Sequence, residues 1–338
     1  MISCPVCDIE IQSENYIKTY VSSFDATQYK LYHCYGCHIE FWYPLSVRPE
    51  FYEDEHCAAY EEFHSGFRQL PEWCAPFFEK FPFKKGKLLD IGCGDGIFLK
   101  SAENSGFEAW GIDFDKKSIE TARNKLGLNN VYPMSLEEFM TFAAEKNVVF
   151  DVITFFEVLE HQDRPEEFIR SIKKILNNGG YIAGSVPNRE RLFVNLDREL
   201  FSADFPPHHF LWFSKDVLKN LFLRNGFNRI ELYPANLNLL KLSGWVESIL
   251  LGRFSKKIKK SLKSSFLSPY VKNGKDLNKR IETFEELYGK SRRTYFLKFL
   301  RMIRNIIFVP LALFIYLEFN RRGPQIYFQA IYKSANKS

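Results

Sequence analysis

The sequence predicts an α/β protein with a doubly wound, mostly parallel sheet of seven strands. A small cysteine-bearing module precedes this sheet, and a helical insertion interrupts it before the last strand. Three observations support this fold class. A strand, a glycine-rich turn and a helix follow one another from residue 87, and strand and helix patterns then alternate as far as residue 233. Two Cys-x-x-Cys pairs precede this region. Such alternation is typical of a parallel sheet with a ligand site at the carboxyl ends of its strands.

Residues 1–45 are predicted to form a zinc ribbon. Cys4 and Cys7 form one Cys-x-x-Cys pair, Cys34 and Cys37 form the other, and the segments between them alternate like strands. Four thiolates at this spacing suit the closed tetrahedral shell of a structural Zn²⁺ site. Unrelated core thiols and a redox pair are the alternatives, and the second lacks the helix that follows such a pair in thioredoxin-like proteins.

Composition and charge indicate where the protein acts. The N-terminus has neither the basic stretch nor the apolar run of a signal peptide, so a cytoplasmic protein with reduced thiols is expected. Residues 253–304 carry 16 Lys/Arg and 4 Asp/Glu, whereas the whole chain of 338 residues has a net charge of +5. This basic block indicates an anionic partner, such as lipid headgroups, phosphate or nucleic acid.

Residues 46–83 are interpreted as a helical, aromatic linker with a helix through Gln69, and residues 84–235 as the core domain. The hydrophobic patterns predict core strands and helices in regular alternation, and a turn at 177–180 is expected to end one of these helices. Strands are predicted at 88–91, 108–113, 131–134, 150–156, 181–186 and 227–233, and helices at 97–105, 116–126, 136–146, 164–176 and 214–225.

Residues 236–323 are predicted to form a basic, amphipathic helical insertion, and residues 324–338 the last core strand and a tail. Basic side chains recur at helical spacing among Leu, Ile and Phe, and the uncharged run 305–317 is shorter than the ~20 residues that span a membrane. The pattern favours peripheral contact of residues 253–319 with an anionic membrane. A helix that covers a cleft, or that forms a homodimer contact, is the alternative.

The turn after the first core strand carries Asp90 and a Gly-x-Gly-x-Gly sequence at Gly92, Gly94 and Gly96. Glycines at a strand-to-helix turn let a ligand approach bare backbone at a helix N-terminus. The NAD fingerprint would need its third glycine one position later, where this chain has Ile97. The spacing therefore disfavours an NAD-dependent oxidoreductase.

The second core strand ends in Asp113, where a carboxylate can accept hydrogen bonds from both hydroxyls of a ribose. Phe114 follows, with a ring that could pack on adenine. With the glycine turn, these residues resemble the motifs of class I S-adenosylmethionine (SAM)-dependent methyltransferases, and residues 150–161 resemble their fourth-strand motif. The resemblance covers about residues 84–233 and implies a Rossmann-like fold with SAM as the cofactor. It places SAM against Asp90, Gly92, Cys93, Gly94, Asp113, Phe114, Ser135, Leu136 and Phe156.

Three residues are predicted to be catalytic: Glu157, His208 and His209. The sulfonium of SAM is an activated methyl donor, so catalysis needs alignment and, for a hydroxyl acceptor, a base. Glu157 follows the fourth core strand at the ligand edge. The two histidines lie in a Pro-Pro-His-His segment that resembles a loop of zinc-ribbon methyltransferases, many of which act on sugars. A structural pair of histidines is the alternative reading of this segment.

The sequence Glu-x-x-Glu-His at Glu157, Glu160 and His161 resembles that of the ubiquinone-pathway O-methyltransferases, where it is associated with a divalent cation. The resemblance implies a second divalent site, for Mg²⁺, at these three residues. The alternative is that Glu160 and His161 cap the loop before Pro165.

The sequence as a whole predicts a SAM-dependent methyltransferase. The predicted acceptor is a hydroxyl of a saccharide or of a lipid-linked glycan intermediate, and the protein is expected in the cytoplasm, with peripheral contact at the inner face of the membrane. A quinone or polyprenyl-phenol O-methyltransferase is the alternative. A nucleic-acid-binding zinc-ribbon protein is a third reading, disfavoured because the ribbon region is not basic.

Overall fold

The computed structural model describes residues 2–24, 26–46, 69–200, 204–235 and 321–333, with scattered positions between 242 and 318. Its strands are β1 (Tyr16–Val21), β2 (Gln28–His33), β3 (Glu40–Tyr43), β4 (Gly86–Ile91), β5 (Phe107–Asp113), β6 (Val131–Pro133), β7 (Phe150–Phe156), β8 (Leu176–Pro187), β9 (Leu211–Trp212), β10 (Phe227–Ala235) and β11 (Gln325–Tyr332). Its helices are α1 (Ala75–Lys80), α2 (Ile97–Ser105), α3 (Lys116–Leu126), α4 (Leu136–Lys146), α5 (Pro165–Lys174), α6 (Val194–Leu200) and α7 (Lys215–Arg224).

The main sheet has seven strands in the order β10-β11-β8-β7-β4-β5-β6. The pairs β6–β5, β5–β4, β4–β7 and β7–β8 are parallel, whereas β11 is antiparallel to both of its neighbours. The central strands β4 and β7 carry runs of fully buried residues, as expected for strands that are covered on both faces. The predicted fold class, a mostly parallel doubly wound sheet, is confirmed.

Local signals in the sequence fix the helix ends beside this sheet. Asp115 caps α3 by accepting a hydrogen bond from the Lys117 N–H, and Gly127 ends the helix with a left-handed backbone. Ser135 and Glu138 form a reciprocal capping box at the start of α4. These caps place the N-termini of α3 and α4 directly after β5 and β6, at the edge of the sheet where a ligand is expected.

The segment 177–180 was predicted as a turn that ends a helix, but it lies within β8. The pairing of β7 with β8 shifts in register between Phe150, opposite Leu176, and Val152, opposite Tyr181. The additional residues of β8 form an irregularity in the ladder, with Gly179 at φ 84°. Asn-Asn-Gly-Gly is a turn signal in most contexts, and here pairing with β7 overrides it.

A second sheet has four antiparallel strands in the order β1-β2-β3-β9. The first two were predicted and are confirmed. The last, β9, comes from the core sequence: Phe41 pairs with Leu211 and Glu40 with Trp212. A strand of two residues carries no periodic pattern, so its partner could not be read from the sequence. We call β1, β2, β3 and β9 the ribbon sheet.

Contacts divide the chain into two compact units, and both sheets belong to the first, which comprises residues 1–192, 203–236 and 322–338. The second unit comprises residues 193–202 and 237–321, and α6 lies in it. The predicted linker helix through Gln69 and almost all of the basic insertion lie outside the described residues. Among the helices that the structure does describe, none has the length and apolar character needed to cross a membrane.

Candidate functional site

A cavity of about 720 Å³ opens at the carboxyl ends of β4, β5 and β7, within the first unit. Its volume lies in the range of small-molecule and cofactor sites. All nine residues predicted to contact SAM line this cavity, and so does Glu157. The lining includes Pro71, Trp73, Asp90, Gly92, Cys93, Gly94, Phe98, Asp113, Phe114, Ser135, Leu136, Phe156, Glu157, Val158, His161, Gln162, Asp163 and Arg164.

The glycine turn forms the floor of the cavity and needs its glycines for two reasons. Gly92, Gly94 and Gly96 have φ angles of 75°, 52° and 78°, in the left-handed region that side chains disfavour. A Cβ atom on Gly92 would also lie 2.7 Å from Cγ2 of Val158. The turn therefore brings unobstructed backbone to the cavity at the N-terminus of α2.

Asp113 joins the end of β5 to the glycine turn. Its Oδ2 accepts a hydrogen bond from the Gly94 N–H at 2.8 Å, and its Oδ1 accepts one from the Asp115 N–H at 2.9 Å. Burial raises the pKa of this carboxyl group. Asp113 thus fixes the position of the turn while its carboxylate borders the cavity, where it is placed to accept further hydrogen bonds from a ligand.

Asp90 lies deeper than Asp113 and is 3% exposed. Its Oδ1 accepts a 2.7 Å hydrogen bond from the Thr154 hydroxyl, which links β4 to β7 below the turn. Burial raises the pKa of Asp90 to about 8. The contacts of Asp90 therefore support the turn from the side of the sheet.

Aromatic side chains border two parts of the cavity. Phe114 is 43% exposed, which leaves its ring available to a flat ligand. Phe98 and Phe156 pack against each other with ring centroids 4.6 Å apart, and Trp73 lines the same cavity. Trp73 was missed by sequence reasoning, because the chain between it and the glycine turn shows no motif that would bring the two together.

Glu157 lies directly after β7 and has φ 54°, an unusual conformation for a residue other than glycine. Its Oε1 accepts a 2.6 Å hydrogen bond from the Ser185 hydroxyl, and its N–H donates to the Ser185 carbonyl at 2.9 Å. Burial raises the pKa of Glu157 to about 7, against the lowering effects of the Ser185 hydrogen bond and of Arg191. A carboxylate with this pKa is well suited to proton transfer near neutral pH.

The two predicted catalytic histidines lie in the segment 205–210, which we call the histidine loop. Neither His208 nor His209 is among the residues that line the cavity, whereas His161 is. The Nδ1 atom of His161 donates a hydrogen bond to the His208 carbonyl oxygen, and the Phe210 N–H donates to the Glu160 carbonyl at 3.2 Å. The histidine loop therefore contacts the segment that follows β7 on the side away from the cavity.

The predicted Mg²⁺ site differs from the cluster that the structure forms. Glu160, His161 and His209 bring one ligand atom each within 4.8 Å of one another, whereas Glu157 hydrogen-bonds to Ser185. Glu160 is fully buried, and burial raises its pKa well above the usual range of a carboxyl group. Mg²⁺ prefers a shell of oxygen atoms, and two imidazoles with one carboxylate do not provide one. These residues therefore do not fit Mg²⁺.

The four cysteines of the ribbon form one cluster. Their sulfur atoms all lie within 4.8 Å of one another, with 3.5 Å between Cys4 and Cys37 and 3.4 Å between Cys7 and Cys34. Four sulfurs at 2.3 Å from a tetrahedral Zn²⁺ would be about 3.8 Å apart. Three of the four side chains are buried, so the cluster has the size and the closed character of a structural zinc site.

The cavity and its sheet define the class of protein: a doubly wound α/β domain with a glycine turn and a second-strand acid at the ligand edge. A sequence profile described as a methyltransferase domain matches residues 63–232, half of the chain. The protein therefore belongs to the methyltransferase domain family.

Curated relatives match parts of this domain. The ubiquinone biosynthesis O-methyltransferase of Proteus mirabilis (strain HI4320) is 36% identical over 108 residues, which are 31% of this chain and 43% of that protein. The enzyme of the same name from Azoarcus sp. (strain BH72) is 31% identical over 166 residues, 47% of this chain and 66% of that protein. The chain thus spans between 43% and 66% of the length of these two relatives.

One similar solved structure is that of a SAM-dependent methyltransferase from Archaeoglobus fulgidus. It is 18% identical and has a TM-score of 0.43, over 76% of this chain and 92% of that chain.

Proposed function

We propose that the protein is a SAM-dependent methyltransferase that methylates a hydroxyl group, with Glu157 as the general base. One observation carries this proposal: the glycine turn, Asp113 and Glu157 all line one cavity. A site of this kind has a place for a nucleoside-type cofactor and, beside it, a group that can accept a proton.

The residues around the glycine turn fit SAM as the cofactor. Asp113 would hold the ribose hydroxyls, Gly92 and Gly94 would contact the methionine part, and Phe114 would pack on the adenine. Ser135 and Leu136 line the same part of the cavity. When bound, SAM supplies a methyl group on a sulfonium, which needs no further activation.

Glu157 performs the other half of the reaction. The ionised carboxylate would take the proton from the acceptor hydroxyl as that oxygen bonds to the methyl carbon and the carbon–sulfur bond breaks, so that S-adenosylhomocysteine leaves and the methylated oxygen carries no charge. The Ser185 hydroxyl donates to Glu157 and so holds the carboxylate at the end of β7. We call residues 157–164 the acceptor wall, and those of its side chains that line the cavity would contact the second substrate.

A phenol or quinol is the acceptor class that is best supported. The relatives in Proteus and Azoarcus are named as ubiquinone biosynthesis O-methyltransferases. The rings of Trp73, Phe98 and Phe156 provide apolar, flat surface for an aromatic acceptor. A saccharide hydroxyl, free or lipid-linked, is the second candidate, because Gln162, Asp163 and Arg164 line the cavity with hydrogen-bonding groups.

The experiment that tests this function begins with calorimetry. The protein is expected to bind S-adenosylhomocysteine and to bind neither NADH nor duplex DNA. A methyl-transfer screen with labelled SAM over catechols, quinols, nucleotide sugars and lipid-linked sugars then identifies the acceptor. Binding of NADH without S-adenosylhomocysteine would refute the proposal.

We also propose that the cysteine cluster holds one structural Zn²⁺ ion, because a Cys₄ shell leaves no open position for catalysis. Elemental analysis is expected to find about one zinc per chain. Cys34→Ser is expected to lose the metal, since the cluster then offers only three thiolates. Cys74→Ser changes a buried thiol outside the cluster and serves as the control. Full zinc content in Cys34→Ser would contradict this assignment.

A further inference from the structure

The histidine loop lies between the ribbon sheet and the acceptor wall. The Phe210 carbonyl accepts a hydrogen bond from the Trp42 N–H in β3 at 2.9 Å, and the Phe210 N–H donates to the Glu160 carbonyl at 3.2 Å. Phe210 is 1% exposed. A single buried peptide segment therefore joins a ribbon strand to the turn that lines the cavity.

Aromatic packing holds the same loop on the ribbon side. The Phe205 ring stacks on Tyr20 with centroids 4.7 Å apart and also packs on Trp42 at 5.7 Å. Trp42 meets Trp212 of β9 edge to face at 5.3 Å. Phe205 is the first residue of the histidine loop and Trp212 follows its last residue by two, so the ribbon sheet holds both ends of the loop.

On the cavity side, the loop sets the orientation of His161. A carbonyl oxygen can only accept a hydrogen bond, so the contact with the His208 carbonyl requires that Nδ1 of His161 carries the proton. Burial lowers the pKa of His161 to about 3, so the ring is neutral and Nε2 is its unprotonated atom. The position of the loop thus selects both the ring orientation and the tautomer of a residue that lines the cavity.

The cofactor part of the cavity is held by different bonds. Gly94 donates to Asp113, Gly92 and Cys93 donate to the Ile112 carbonyl, and Thr154 donates to Asp90. These contacts lie among β4, β5 and β7 of the main sheet. Glu157, at the start of the acceptor wall, is also held by Ser185 of the main sheet, whereas the turn at Glu160 and His161 is bonded to the histidine loop.

We propose that the zinc ribbon positions the acceptor half of the active site, with Trp42 as the positioning residue that acts on His161 through the histidine loop. The inference rests on the proposed function in one respect: it takes residues 157–164 as the side of the cavity that binds the methyl acceptor. The four thiolates fix the strands β1–β3, these strands fix the loop, and the loop fixes the acceptor wall.

The test compares Trp42→Leu with Trp42→Phe in the zinc-loaded protein. Leu removes the ring that packs on Phe205 and Trp212, whereas Phe keeps a ring. The Phe variant also removes the indole Nε1–H, which has no hydrogen-bond partner among the described residues. Trp110→Leu makes the same change on β5, where the ring packs on Tyr132 and Phe150, and is the matched control.

Hydrogen exchange of the backbone amides at 158–163 is expected to become roughly tenfold faster in Trp42→Leu. The exchange rate is expected to be close to the wild-type value in Trp42→Phe and unchanged in Trp110→Leu. The imidazole ¹⁵N spectrum of His161 is expected to show the Nδ1–H tautomer in the wild type and a mixture in Trp42→Leu. Affinity for S-adenosylhomocysteine is expected to stay within about threefold. Chelation of zinc should reproduce the exchange and tautomer changes of Trp42→Leu.

Two results would overturn the inference. Unchanged exchange at 158–163 in Trp42→Leu would show that the ribbon does not support the acceptor wall. Loss of S-adenosylhomocysteine binding together with the faster exchange would show that Trp42 stabilises the whole unit and not one half of the cavity. Failure of the proposed function gives a different result, because the wild type itself would then not bind S-adenosylhomocysteine.

Discussion

Replacing Glu157 with glutamine is expected to lower kcat by about 10²- to 10⁴-fold, the usual contribution of a general base. The amide has the shape of the carboxylate, and its oxygen still accepts the hydrogen bond from the Ser185 hydroxyl. The substitution removes only the ability to take a proton. Steady-state kinetics with the acceptor found in the screen measures the change, and calorimetry should find affinity for S-adenosylhomocysteine within about threefold of the wild type.

The pH profile provides an independent check on the same residue. Burial raises the pKa of Glu157 to about 7, and the base must be ionised to act. In the wild type, kcat/KM is therefore expected to rise about tenfold per pH unit below about pH 7 and to level off above it. Glu157→Gln should lose this rise. Glu166→Gln, in α5 and paired with Arg170, is the control and should keep it. A wild-type profile that is flat through pH 7 would exclude Glu157 as the base.

Asp113→Ala is expected to weaken binding of S-adenosylhomocysteine by about 100-fold or more. Hydrogen bonds to a charged group contribute roughly 1.5–3 kcal/mol each, and a ribose offers two hydroxyls to this carboxylate. The substitution also removes the acceptor for the Gly94 N–H, which leaves the glycine turn less well fixed. Isothermal titration calorimetry measures the loss directly and needs no knowledge of the acceptor.

A matched control exists at the opposite end of the same sheet. Asp151 accepts hydrogen bonds from the Lys87 N–H at 2.9 Å and from the Asn177 side chain at 2.8 Å, and it does not line the cavity. Asp151→Ala removes a similarly bonded carboxylate and should leave the affinity near the wild-type value. Equal losses in the two variants would mean that Asp113 acts through stability and not through contact with the ligand.

The cofactor half of the cavity could be predicted from the sequence because its signals are local. Asp90, the glycines and Asp113 each lie at the end of a strand, and parallel strands bring their carboxyl ends to one edge. Helix caps such as the one at Ser135 also depend only on residues that are close together in the sequence. The sequence therefore carried both the type of site and its position in the sheet.

The acceptor half could not be predicted in the same way because it depends on distant contacts. His208 and His209 were expected at the cavity, yet the loop that carries them lies behind His161 and is held by β3. No periodic pattern shows that two residues of the core will extend a ribbon sheet, and none shows that Trp73 will line the same cavity as Phe156. Side-chain direction in a loop follows from packing, which short-range sequence rules do not contain.

The position of β11 has a consequence for how the chain reaches its fold. This strand lies between β8 and β10, and residues 236–324 separate it from β10 in sequence. During synthesis, β10 and β8 emerge long before the strand that joins them, and until then each has an unpaired edge. The parallel strands β4 to β7 can pair with one another without a strand that is synthesised much later. The ligand-bearing half can therefore become ordered on the ribosome first, and the nascent chain needs protection from edge-to-edge association until β11 inserts.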